Sequence, residues 1–131
     1  MAIAWCDRAI IRLRTGDPAA ACADCDAALA ADPTLGMAFE VRAESRQGLS
    51  DLAGAVADYT AALACGVPAT GKVRANRAGM FLGLHQLEEA EVDLVAALRE
   101  APEEPNVHAN LGFLRGTQRR WGEAAEAFRQ F

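Results

Sequence analysis

The chain has 131 residues, 52% hydrophobic but only 6% aromatic, so its apolar content comes mainly from alanine and no stretch is long and bulky enough to span a bilayer. A formal charge of -5, from 18 acidic against 13 basic side chains, argues against a nucleic-acid backbone as the main partner, because phosphate binding needs a basic stripe. The first residues, interrupted by Asp7 and Arg8, do not form a signal peptide, and a cytoplasmic location is the resulting expectation.

Along the chain a small residue, followed by Ala twelve positions later, recurs in one register: Ala9 with Ala21, Ala43 with Ala55, Ala78 with Ala90, Gly112 with Ala124. This is an internal repeat of about 34 residues. Small residues at both points let a helix and its antiparallel partner approach closely, so each repeat is expected to be a helical hairpin. The repeats run 2–35, 36–69, 71–104 and 105–131, with Thr70 as a single insertion and the last copy cut short.

Asp17 with Pro18 marks the start of the second helix of the first repeat, Ser50 with Asp51 that of the second, and Glu88 with Glu89 places acid near the start of the third. Ala28, Ala62 and Ala97 are each followed by leucine, and Pro33 and Pro102 end two of the second helices, with Pro68 one place late. Trp5 and Phe39 fill an apolar slot of the first helix. Tyr59, Leu94 and Phe128 fill one in the second. In the fourth repeat Arg119 and Arg120 fall at the expected turn between helices.

These columns resemble the tetratricopeptide repeat, W-x2-L-G-x2-Y, then A-x3-F, then P, over essentially the whole chain. The resemblance implies an all-α, right-handed α-solenoid of antiparallel hairpins. Arginine replaces the family's leucine at Arg8, Arg42 and Arg77, and only the fourth repeat has the Leu-Gly pair, Leu111 and Gly112. The repeats with Arg also carry Asp at one fixed point of the second helix, Asp24, Asp58 and Asp93. The fourth has Leu111 and Ala127 instead. Charge that appears and vanishes together predicts three ion pairs between helices, Arg8 with Asp24, Arg42 with Asp58 and Arg77 with Asp93, fixing register more than adding stability.

Two motifs imitate chemistry without its context. Cys22 and Cys25 form C-x2-C, but zinc would need a second ligand pair, and a redox motif would need a strand before its helix. The four cysteines, Cys6, Cys22, Cys25 and Cys65, are therefore expected to be reduced thiols. Gly66 to Lys72 reads G-x4-G-K, yet Val73 stands where Ser or Thr should hold magnesium, and the segment links two helices. His108 takes the place of Trp5, which predicts packing, and His85 is placed in an exposed turn. Neither has a nucleophile and a carboxylate beside it in the repeat register. No catalytic residue, cofactor or metal site is expected, and the chain is read as no enzyme.

What the family resemblance implies instead is a concave groove lined by the first helix of each hairpin. That places Ile3, Cys6, Ile10 and Leu13 on the groove, then Met37, Glu40, Glu44 and Gln47, then Lys72, Ala75, Asn76, Gly79 and Leu82, then Asn106, Ala109, Asn110 and Phe113. Some members of the family hold the C-terminal carboxylate of heat-shock chaperones with a clamp of Lys, Asn and Arg. Here its first places hold Cys6 and Ile10 in one register and Glu40 and Glu44 in the other. Acid there repels a carboxylate and suits a basic or amide-rich extended peptide, with Asn76 and Asn110 available to its backbone.

The expected role is thus a protein-interaction scaffold binding a peptide or protein. The alternatives are a targeting or regulatory arm of a larger enzyme, such as a transferase, and a self-assembling structural protein. Trp121, Ala124, Phe128 and Phe131 form an apolar stripe in the fourth repeat with no polar cap after it, which leads to the expectation of a longer chain, and of a homodimer through that open end.

Overall fold

A computed structural model describes residues 1–129, apart from the side chain of Phe128; the sequence stripe through Phe128 and Phe131 lies to that extent outside the described residues. Seven helices follow one another: α1 (Ala2–Arg14), α2 (Pro18–Ala31), α3 (Gly36–Gly48), α4 (Leu52–Cys65), α5 (Thr70–Gly83), α6 (Leu87–Glu100) and α7 (Pro105–Arg129). α1 packs on α2, α3 on α4 and α5 on α6, and α2 and α4 each lean on the first helix of the next hairpin. The result is an all-α right-handed solenoid of hairpins, in which neighbouring interfaces take the place of one central core.

The small residues sit where the helices of a hairpin meet. Ala9 and Ala21 share one buried cluster, Ala43 and Ala55 the next, Ala78 and Ala90 the third, all without solvent exposure. Around them larger side chains close the gaps, notably Tyr59, Leu94 and Leu114.

All three expected ion pairs form, and each is a two-point fork. Arg8 donates to Asp24 through Nε at 3.0 Å and Nη2 at 2.7 Å. Arg42 does the same to Asp58 at 3.0 and 2.8 Å, and Arg77 to Asp93 at 2.7 and 2.6 Å. The carboxylates are buried, with 2% of each aspartate exposed. The Arg8 hydrogen bonds hold the Asp24 carboxyl below its ordinary range, against the opposing effect of burial. A second arginine, not foreseen from the sequence, joins two of the forks: Arg12 reaches Asp24 at 3.2 Å and Arg46 reaches Asp58 at 2.8 Å. Phe81 stands at that place in the third hairpin and covers the Arg77 guanidinium at 5.7 Å. Trp5 and Phe39 cover Arg8 and Arg42 at 4.6 and 5.5 Å from one turn earlier.

The turns within the hairpins repeat too. Gly16, Ser50 and His85 occupy equivalent places and all have positive φ, 86°, 61° and 60°. The next residue is the N-cap: Asp17 accepts from the Ala20 amide and Asp51 from the Gly54 amide, while Gln86 makes no side-chain cap. Ser50, expected to open its helix, is therefore the left-handed turn residue, one place before the cap.

The fourth hairpin does not form. Continuing the register puts Arg119 at the left-handed place and Arg120 at the N-cap, and the backbone runs through both as α7, a single helix of 25 residues. Arginine favours the helix, strongly disfavours positive φ and cannot accept the capping hydrogen bond. Arg119 instead makes an i,i+4 pair with Glu123 at 3.0 Å. Trp121 and Ala124, of the apolar stripe read at the open end, are accordingly exposed.

Two substitutions test this arrangement by urea denaturation. Asp58→Ala leaves Arg42 with Asp26 and Arg46 with a long contact to Asp51, both with access to water, so the expected loss is about 2 kcal/mol, less than for a fully buried charge. His85→Gly relieves a left-handed backbone that an L-residue disfavours, with an expected gain of about 1 kcal/mol.

Candidate functional site

The first helices α3, α5 and α7 supply the residues of the concave face. α3 and α5 touch less closely than α1 and α3 or α5 and α7, leaving a cleft between them. A concavity of about 520 Å³ lies there, lined by Glu44, Gln47 and Gly48 of α3, Lys72 and Asn76 of α5, and Asn106 of α7. Glu40, one turn before Glu44, is half-buried beside it. A second concavity of about 350 Å³ continues along α5 and α7, lined by Gly79, Leu82, Gly83, Ala109, Asn110 and Phe113.

Glu40 and Glu44 set the electrostatics. Burial pushes both carboxyls above the usual range; Lys72 pulls both back, while the Glu40 charge raises Glu44 further and Arg14 lowers it. Among the described residues no basic group lies within 4 Å of either. The groove wall thus carries two acids whose ionisation is only partly compensated.

Tyr59 of α4 bonds to the groove residue Gln47, a contribution the sequence reading missed because its register marks it only as an apolar slot. The residue is fully buried, and its hydroxyl donates to Gln47 Oε1 at 3.4 Å. Burial raises its phenol, with the Glu44 and Glu40 charges adding to the rise and an Asn76 hydrogen bond opposing it.

The asparagines are already engaged. Asn106 donates to Asn76 Oδ1 at 2.8 Å, and Asn110 donates to the Ala75 carbonyl at 3.0 Å. Gly79 leaves room for that second bond, since a Cβ there would lie 3.3 Å from the Asn110 amide nitrogen, a tight contact. These residues tie α7 to α5, so each offers a ligand only its remaining amide atoms. Met37 and Phe113 are exposed on the face, and Lys72 projects into solvent.

Some residues assigned to the groove, Cys6 and Ala75, lie in the core, while Leu82, almost wholly buried, still edges the second concavity. His108 does not pack: it is exposed, with its Nε2 against the Pro102 carbonyl, and Leu111 offers it no guanidinium of the kind that Trp5 covers at Arg8. His85 is in an exposed turn, as expected. Cys25 is buried and its thiol is pushed up to about 12 by burial, with the neighbouring Cys6 and Cys22 adding to the rise, which leaves it a weak nucleophile. No three acidic, histidine or cysteine side chains among the described residues are grouped to hold a metal ion. None of the described helices is long and apolar enough to cross a membrane.

No family model matches the sequence, and no curated protein does. Solved structures do match the fold. The first repeat domain of Spaghetti (RPAP3), bound to the HSP90 peptide SRMEEVD, superposes with a TM-score of 0.83 at 21% identity, over 89% of this chain and 92% of that one. The second such domain of human RPAP3, in complex with the HSP70 peptide SGPTIEEVD, gives 0.80 at 23% identity over 87% and 94%. The Yersinia enterocolitica secretion chaperone SycD, in complex with a peptide of the translocator YopD, gives 0.76 at 17% identity over 87% and 92%. The chain has the tetratricopeptide-repeat fold.

The raised carboxyls make a stability prediction. Glu40 and Glu44 bind protons more tightly folded than unfolded, so folding stability falls as pH rises from their ordinary value of 4.5 through the raised values. Glu40→Gln with Glu44→Gln removes this loss: in urea titrations the variant gains on the parent as pH rises from 4.5 to 7.

Proposed function

We propose that this chain is a non-catalytic interaction scaffold whose concave groove holds an extended peptide with a basic side chain set against Glu40 and Glu44. The observation that carries the reading is that pair of half-buried, under-compensated carboxylates on the groove wall. A guanidinium or ammonium group placed between them gives back the interaction that burial removes, and the amides of Gln47, Asn76 and Asn106 line the adjoining concavity to take backbone groups.

Peptide binding by RPAP3 domains and SycD, at similar fold, supports a peptide as the kind of partner. The peptide chemistry is different. SRMEEVD and SGPTIEEVD are acid-rich at their ends, and acid at Glu40 and Glu44 repels such a terminus. Four cysteines left as thiols suit a reducing compartment, which favours the cytoplasm.

The test is fluorescence anisotropy with two extended peptide pools, one carrying Lys or Arg at a single position and one carrying Glu there. The basic pool binds the parent, and Glu40→Lys with Glu44→Lys weakens it at least tenfold, about 1.4 kcal/mol. Binding to the parent also weakens as pH falls through the raised carboxyl range, because protonation removes the charge. Equal binding by parent and variant overturns the assignment of the groove.

A further inference from the structure

We propose that two copies of this chain exchange the C-terminal halves of α7, each supplying the second helix that the other's fourth repeat lacks. The proposal rests on the fourth repeat and does not depend on what the groove binds.

In the first three hairpins the small residue of the first helix is buried against Ala of the second, as Ala9 is with Ala21. Gly112 holds the same place in α7, and nothing lies within 4 Å of where its Cβ would be. The segment that matches it in register, with Ala124 as the small residue, is in the same chain but cannot reach it. On a straight helix the two positions are about 18 Å apart.

A second copy removes this conflict. Its α7, laid antiparallel about a two-fold axis near Gln118, brings Ala124 against Gly112, and by symmetry the first copy returns the same contact. Trp121, 59% exposed, lies beside the axis and is covered by the pairing, as Pro18, Leu52 and Leu87 at the same place are partly covered in their own hairpins.

Charge complementarity supports a second copy as the occupant. In the register that joins Arg8 to Asp24, Arg115 of one chain faces Glu123 of the other, and each is repeated by the two-fold. Arg115 is the counterpart of Arg12 and Arg46, whose carboxylate partner is replaced in its own repeat by Ala127. Among the described residues Glu123 has only the exposed contact with Arg119. The hinge chemistry agrees, because arginine at the left-handed and capping places favours the open helix, and a straight hinge helix promotes exchange over closure.

The experiment is light scattering of the chain at micromolar concentration, beside Arg119→Gly with Arg120→Asp, which restores the Gly-Asp turn of Gly16 and Asp17. The proposal requires a dimer mass for the parent and a monomer mass for the variant, whose own helix now folds back. A monomeric parent overturns it, and so does a variant that remains dimeric. Should the variant fail to fold, Gly112→Cys with Ala124→Cys in a Cys65→Ser background gives an independent answer. Oxidation joins two chains if the halves are exchanged; a disulfide closed within one chain, or no disulfide at all, overturns the proposal.

Discussion

The architecture depends on a buried carboxylate that must be answered across a helix pair. Asp24, Asp58 and Asp93 lose their water on folding, and an isolated ionised carboxylate in that position would cost far more than the fold could offset. A forked guanidinium meets both oxygens at once, which fixes the rotation of the first helix about its axis as well as its height. An aromatic face over each arginine then narrows its freedom further, and comes from whichever turn has one to give: Trp5 and Phe39 before the arginine, Phe81 after it, where Arg74 holds the earlier place. Once rotation is fixed, the small residues fall opposite each other.

The same constraint shapes the groove. With one face of α3 committed to Asp58 and another to the core around Ala43, Glu40 and Glu44 are held on the remaining face, too close to the protein for full hydration. Their raised protonation follows from where the fork puts the helix. α5, held likewise through Arg77, brings Lys72 into range without bringing it into contact.

Much of this was legible in the residues. The twelve-position spacing of small side chains gave the hairpins, and the joint loss of Arg and Asp in the last repeat identified the ion pairs, because covariation within one chain needs no other information. The second arginines escaped notice because Arg12 and Arg46 have no counterpart at Phe81, so that column does not look like a repeat. The broken fourth turn was misread for the opposite reason: Gly112 and Ala124 preserve the hairpin pattern, while the hinge between them had lost its left-handed residue and its cap. For the groove, register placed residues on the right helices but could not tell surface from core, as Cys6 and Ala75 show, nor reveal that Asn76 and Asn106 were already bonded to each other and Asn110 to the Ala75 carbonyl.

Arg42 also reaches back to Asp26 of the preceding hairpin at 2.9 Å, and Arg77 at the same place reaches the Thr60 hydroxyl at 3.1 Å. The corresponding residues one repeat on are Leu111 and Val95, which have no such bond to make. At this column the stitch between repeats passes along the chain from charged to neutral to none, and the last junction is held instead by the amide bonds of Asn106 to Asn76 and of Asn110 to the Ala75 carbonyl. In a nearly one-dimensional array, where each unit is held by its neighbours, the junctions then differ in kind: salt screens the ion pair at the first and leaves the neutral amide bonds at the last, so added salt loosens the N-terminal junction more than the one that carries α7.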